Sequence, residues 1–311
     1  MRVFAEAPGK VIISGEHFVV HGAVALAAAI DRGTKVEAMR GEGLTVETPL
    51  NRNKGAGSGL LPVEKVVREM YRERSLEPRV RLKISSRLPT GAGLGSSAST
   101  MVATVAAVNR LEGWNLDANS IVETSMLGEK LVHGKPSGVD VAASVFGGLL
   151  EFRMGAEPWQ VPLEKPAKFL VVYSGKRRSS GRLISKVSSM KDVYPALFSK
   201  LCESATLVTQ LATERLITGR LEELGRIMTY NHAVLGMVGA SNEHLDRLVD
   251  LCLQSGCLGA KLTGAGGGGS VLAVAPRGDE SAVAARIESR GFEAFVTEVP
   301  TGGVRVWTSE R

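Results

Sequence analysis

Along the first fifty residues, short apolar runs alternate with turns, and 2–7, 11–14, 19–20, 24–30 and 35–38 each predict a strand or strand edge. Pro8-Gly9 reads as the turn between the first two. From Arg40 to Leu60 the chain becomes polar and glycine-rich, the composition of a surface insertion or a mobile lid. Val63, Val66, Val67 and Met70 then recur at helical spacing, which predicts an amphipathic helix over 62–74. Val80, Leu82 and Ile84 alternate with Arg81, Lys83 and Ser85, so the next segment predicts a half-buried strand. It leads into the run Pro89-Thr90-Gly91-Ala92-Gly93-Leu94-Gly95-Ser96-Ser97-Ala98-Ser99. From Ser97 an alanine-rich stretch through Met101, Val105 and Leu111 predicts a helix that Gly113 stops.

Further on, the pattern predicts a helix over 121–131, a tight turn at 133–138, a short helix over 140–145 and a strand at 149–152. Pro158, Pro162 and Pro166 mark a boundary, dividing the chain into domains 1–165 and 166–311. The second half reads as a buried strand at 169–173, helices at 182–200, 202–217, 220–230 and 241–254, and a glycine run at 263–270. A strand at 271–274, a helix at 281–289 and strands at 294–298 and 304–308 follow. Strands and helices mix without strict βαβ repetition, which predicts an α+β fold in two domains. Thr-Gly-Ala-Gly occurs at both 90 and 263, too short a match for an internal repeat.

Composition narrows the function. A net charge of +6 could suit a nucleic acid or a membrane surface, but the Lys and Arg residues are dispersed and aromatics are only 5%. Stacking platforms for bases are therefore scarce, and a small anionic substrate fits better. No secretory signal opens the sequence, no apolar run is long enough to span a bilayer, and Cys202, Cys252 and Cys257 match no zinc or redox spacing. These features predict a cytoplasmic protein with buried thiols, without nucleic-acid or membrane partners.

Candidate chemistry begins with the glycine-serine run at 89–99. Glycines let backbone approach a ligand closely, and the following helix start supplies N–H groups and the positive end of its dipole. Such a segment is an anion cradle suited to phosphate, although neither a Walker A loop nor the dinucleotide GxGxxG pattern is present. Ala7-Pro8-Gly9-Lys10-Val11-Ile12-Ile13-Ser14-Gly15-Glu16-His17 places a lysine ahead of a Glu-His pair. As a strand it would put Lys10 and Glu16 on one face and His17 on the other, unless Gly15 breaks the register. Taken alone, Lys10 reads as solvated. In His133-Gly134-Lys135-Pro136-Ser137-Gly138-Val139-Asp140 the aspartate could take a proton from an alcohol, with a nearby lysine favouring its charged form, or simply cap the next helix. Glu129 could bind a hard cation together with a cradle serine, or lie on a helix surface. His21, His232 and His244 read as structural or surface residues.

Together, the segments 7–17, 89–99 and 259–269 resemble the three motifs of the GHMP kinase superfamily, in order, and the likeness extends over nearly the whole chain. Within it, Ala-Pro-Gly-Lys-Val-Ile with Gly-Glu-His-Phe-Val-Val-His-Gly at 15–22 and His-Gly-Lys-Pro-Ser-Gly-Val-Asp at 133–140 is most similar to the compact archaeal and bacterial mevalonate kinases. The resemblance implies an N-terminal domain like ribosomal protein S5 domain 2, a ferredoxin-like C-terminal domain, and ATP in the cleft between them. It implies that Asp140 is the base for the mevalonate 5-hydroxyl and that Lys10 keeps it charged and stabilises the transferring phosphoryl. Pro89, Gly91, Ala92, Gly93, Leu94, Gly95, Ser96, Ser97, Ala98 and Ser99 would wrap the triphosphate, and Ser97 and Glu129 would hold Mg²⁺. Lys10, Glu16, His17, Asp140, Gly264, Ala265 and Gly266 would meet the substrate. Arg178 and Ser180 are carried as further contacts, where the family tends to place an Arg-x-Thr. A homodimer is compatible with this picture.

Overall fold

The computed structural model describes residues 1–49, 61–176 and 180–309. The chain runs β1 (Arg2–Ser14), a 3₁₀ turn (Val19–His21), β2 (Ala25–Arg40), β3 (Thr45–Glu47), α1 (Leu61–Arg72), β4 (Val80–Ser86), α2 (Ser96–Glu112), α3 (Ala118–His133), α4 (Val139–Phe146), β5 (Leu149–Phe152) and β6 (Trp159–Val161). It continues with β7 (Lys168–Tyr173), α5 (Ser180–Val193), α6 (Pro195–Ile217), α7 (Leu221–Met237), α8 (Glu243–Gln254), β8 (Gly259–Thr263), β9 (Ser270–Val274), α9 (Glu280–Glu288), β10 (Glu293–Glu298) and β11 (Arg305–Ser309).

Among the described residues the strands form a seven-stranded sheet, with the path β11-β1-β2-β4-β3 and β5 and β6 branching from β2, and a four-stranded sheet ordered β10-β7-β9-β8. Helices α1 to α4 cover one face of the larger sheet, burying Val3, Ala5, Ala7, Val36 and Leu82 against Val66, Val102 and Val105. Its other face meets the smaller sheet, where Val11, Ile13, Leu26 and Ile30 share a core with Phe169, Val171 and Leu272. The remaining helices enclose the smaller sheet around Leu170, Leu245, Val271 and Ile287. This is the two-domain α+β arrangement of the expected fold. Among the described residues no helix is long and apolar enough to cross a membrane.

Several local expectations change. The Pro8-Gly9 turn is instead an irregularity within one continuous strand, where β1 and β2 shift register between Pro8 and Lys10. Val3, Ala5 and Ala7 face the helices before it, and Val11 and Ile13 face the second sheet after it, so the shift reverses which residues point where. The segments 24–30 and 35–38 likewise merge into β2, and Val19 and Val20 belong to a helical turn. In the polar stretch after Arg40, β3 pairs parallel with β4, while 50–60 fall outside the described residues. The helix break expected near 201 sits at Tyr194, with Pro195 opening α6, where a missing N–H costs nothing. The fully buried β8 has no counterpart in the pattern reading. The division at 165/166 falls between β6 and β7, but β11 crosses back to pair with β1, so the 166–311 segment is not confined to the second layer.

Candidate active site

The register shift at Gly9 sets the first catalytic candidate. A Cβ there would lie 2.7 Å from Leu94 O, so only glycine lets the cradle's backbone lie against β1, and Lys10 N donates to Leu94 O at 2.9 Å. Beyond the shift Lys10 turns inward: it is 1% exposed, not solvated. Its Nζ donates to Gly93 O at 3.1 Å and pairs with Asp140 Oδ1 at 3.2 Å. One ammonium group thus bridges the cradle and the carboxylate.

Asp140 lies in the first turn of α4 but does not cap it; the cap position is Gly138, with no side-chain hydrogen bond. That leaves the carboxylate for Lys10 and the cleft. Ala142 and Ala143 keep α4 close to Ile12, Ala25 and Ala27, and Ser144 Oγ donates to Pro8 O at 2.8 Å, tying the helix to the strand that carries Lys10. Glu129, on α3, is buried rather than on a helix surface, and its Oε2 lies 3.7 Å from His133 Nε2.

The cradle divides by the direction of its side chains. No side chain caps α2, whose cap is Gly95, so its first-turn N–H groups suit an anion, and Gly91, Ser96 and Ser97 are partly exposed beside them. Ala92, Leu94 and Ala98 are buried in the cores, so their side chains cannot serve a ligand. The Ser99 hydroxyl is engaged by Thr34 Oγ1 at 2.9 Å and by Ser96 O at 3.1 Å. Pro89 accepts the Ala92 N–H at 3.3 Å, closing the loop on itself.

Glu16 and His17 follow β1 in a turn, where Gly15 ends the strand and His17 adopts φ 62°. The strand alternation therefore does not apply, and both side chains reach the same cleft. His17 Nε2 meets Ala265 O at 2.9 Å, and burial pushes its imidazole below the ordinary histidine value, so the neutral ring donates that bond. Glu16 pairs with Lys261 of β8, a residue that sequence reasoning missed. Thr263 Oγ1 donates to Ile12 O at 3.0 Å and accepts from Ile12 N at 2.8 Å, fastening β8 to β1.

The second glycine run presses against the connection that follows α7. A Cβ on Gly266 would lie 2.0 Å from Ala240 O, on a residue whose φ is 75°. Gly266→Ala is expected to destabilise the fold by at least about 2 kcal/mol, read as a lowered urea midpoint at unchanged m-value.

These elements enclose a cleft of about 260 Å³ lined by Lys10, Glu16, His17, Glu129, Asp140, Gly264 and Ala265, with Met126, Val187 and Lys135 among its other walls. Of the predicted substrate and catalytic residues, Lys10, Glu16, His17, Asp140, Gly264 and Ala265 thus converge. Gly266 and the cradle glycines lie outside its lining, the latter joined to it through Lys10. Arg178 falls outside the described residues, and Ser180 enters only as the first residue of α5.

Residues 62–148 match the family model of the GHMP kinases N terminal domain and 211–293 that of the GHMP kinases C terminal. The chain is 36% identical to the mevalonate kinase of Thermococcus gammatolerans over 98% of each protein. It superposes on the L. major mevalonate kinase in complex with R-mevalonate with TM-score 0.81 and 28% identity, covering 96% of each chain. The Methanococcus jannaschii mevalonate kinase structure gives TM-score 0.82 and 27% identity over 96% of this chain and 98% of that one.

Proposed function

The chain belongs to the GHMP kinase family, and we propose that it works as a mevalonate kinase, transferring the γ-phosphoryl of ATP to the 5-hydroxyl of (R)-mevalonate to give 5-phosphomevalonate for isoprenoid biosynthesis. The observation that carries this reading is the Lys10–Asp140 pair, set where the cradle meets the cleft. As the alcohol oxygen bonds to phosphorus and ADP leaves, the hydroxyl proton passes to the Asp140 carboxylate. Lys10 remains beside both, offsetting negative charge on the transferring phosphoryl group. The N–H groups at the start of α2 hold the phosphates, so positioning and charge stabilisation supply the catalysis, as phosphoryl transfer requires. His17 holds the Gly264-Ala265 backbone against the substrate. Arg178 and Ser180 stay within this reading as substrate contacts.

Mg²⁺ fits the donors present. Glu129 lines the cleft and Ser97 is partly exposed in the first turn of α2, and both offer hard oxygens of the kind Mg²⁺ takes alongside phosphate oxygens. Glu129 and Ser97 would hold it, and when bound it would neutralise charge on the β- and γ-phosphates. Ser97→Ala is expected to raise the Mg²⁺ concentration for half-maximal rate at least about tenfold, measured by titrating the metal at fixed ATP. Cys202, Cys252 and Cys257 are free thiols, in keeping with a reducing cytoplasm as the place of action.

Incubation with ATP and mevalonate, galactose or homoserine in turn, followed by ³¹P NMR, tests the assignment. Phosphate should appear on mevalonate alone. Turnover of galactose or homoserine with none of mevalonate would overturn it.

A further inference from the structure

A lysine with no exposed surface is costly unless each of its N–H groups finds a partner. Lys261, in the middle of β8, is 0% exposed. Its Nζ donates to Glu16 Oε1, to Ile12 O at 3.3 Å and to Leu262 O at 2.6 Å. Three bonds exhaust an ammonium group, so Lys261 has nothing left to offer a ligand directly. Glu16 differs. It is 2% exposed and lines the cleft, and while Oε1 is held by Lys261, Oε2 is buried with no hydrogen-bond partner.

Stability does not account for this arrangement. Buried ion pairs contribute little compared with apolar residues of similar volume, and a buried carboxylate oxygen without a donor is a net cost. Burial pushes the Lys261 ammonium below the ordinary lysine value while Glu16 pushes it back up, so the cation's charge depends on its partner. The unfilled oxygen is where a ligand can repay that cost.

We propose that Lys261 is a positioning residue for the substrate: it fixes the Glu16 carboxylate so that Oε2 accepts a hydrogen bond from the tertiary 3-hydroxyl of mevalonate. This rests on the mevalonate reading above. The choice of hydroxyl follows from the substrate's own polar groups. Its carboxylate is repelled by Glu16, and its 5-hydroxyl faces Asp140. The 3-hydroxyl is the donor that remains. In this arrangement Glu16 and Asp140 grip the two hydroxyls separately, so only an alcohol with both donors correctly spaced presents its primary oxygen to the cradle.

The test compares wild type, Glu16→Gln, Lys261→Met and the double variant, measuring kcat and KM for mevalonate and KM for ATP. Lys261→Met should raise KM for mevalonate roughly 10- to 100-fold. It should change kcat and KM for ATP by less than about threefold, and add less than about threefold when Glu16 is already glutamine. An unchanged KM for mevalonate, equal losses in both backgrounds, or a loss spread evenly over kcat and both KM values would overturn the proposal. Should Lys261→Met fail to fold because it strands the Glu16 charge, the double variant against Glu16→Gln still decides. Matching constants support the proposal and a tenfold gap refutes it. An analogue lacking the 3-hydroxyl should abolish the difference between wild type and Lys261→Met, and a difference of the same size would refute the choice of hydroxyl. Failure of the wild type to phosphorylate mevalonate would instead sink the reading on which the proposal rests.

Discussion

Asp140→Asn is expected to lower kcat by about 10²- to 10⁴-fold while KM for mevalonate and ATP changes only a few-fold. Asparagine keeps the shape and one acceptor oxygen, so the alcohol can still be oriented, but it cannot take a proton at neutral pH. The side chain is 23% exposed and is not the cap of α4, so neither packing nor helix stability should suffer. Steady-state kinetics with a thermal melt separates the outcomes. An unchanged kcat would show that the carboxylate does not accept the proton, and a kcat loss accompanied by a large fall in melting temperature would point to structural damage.

Lys10→Met is expected to cost about 10²- to 10³-fold in kcat, with folding preserved or improved. The sign of the stability change is the informative part. Lys10 is 1% exposed, and a buried ammonium gives up its hydration, so an apolar side chain of similar length fits the same space at less desolvation cost. Asp140, whose side chain is 23% exposed where that of Glu16 is 1%, keeps water contact when its cation is gone. The loss instead falls on function: Gly93 O and Asp140 lose the cation between them, and the transferring phosphoryl loses the positive charge that Lys10 would supply. A variant that binds ATP and melts at or above the wild-type temperature, yet barely turns over, is the expected result. A variant with wild-type kcat would remove Lys10 from the mechanism.

How far the site was legible in the sequence depends on how local each signal is. The cradle is a contiguous glycine-serine run followed by a helix, so both its place and its chemistry could be read directly. The Gly9 shift could not, because the backbone it accommodates belongs to Leu94, which joins β1 only in the folded protein. As a result Pro8-Gly9 read as a turn and Lys10 as solvated, and only the resemblance to a kinase family assigned Lys10 a role. For Glu16 and His17 the expected alternation has Gly15 as its exception, and the exception applies, since alternation holds only while the strand lasts and Gly15 ends it. Lys261 lies within the third motif segment, 259–269, yet nothing singled it out. Its partner lies 245 positions away, and nothing around a single lysine in Gly-Ala-Lys-Leu-Thr announces that it will be buried. The fold class survived such errors because it depends on how many strands and helices there are, while individual boundaries depend on long-range packing.

The strand β11 has a bearing on how the molecule comes into being. Residues 2–6 of β1 lie between 35–39 of β2 and 305–309 of β11, with Trp307 stacked on Phe4 at 5.8 Å between ring centroids. A chain emerging from the ribosome therefore displays one side of β1 as an open edge until β11 has been made, with its N–H and C=O groups unmatched. The sheet that holds β1 is completed only after β7 to β10 have been made. The strand that positions Lys10 gains its second neighbour only once the smaller sheet has had the chance to form, which ties completion of the catalytic centre's sheet to the second domain.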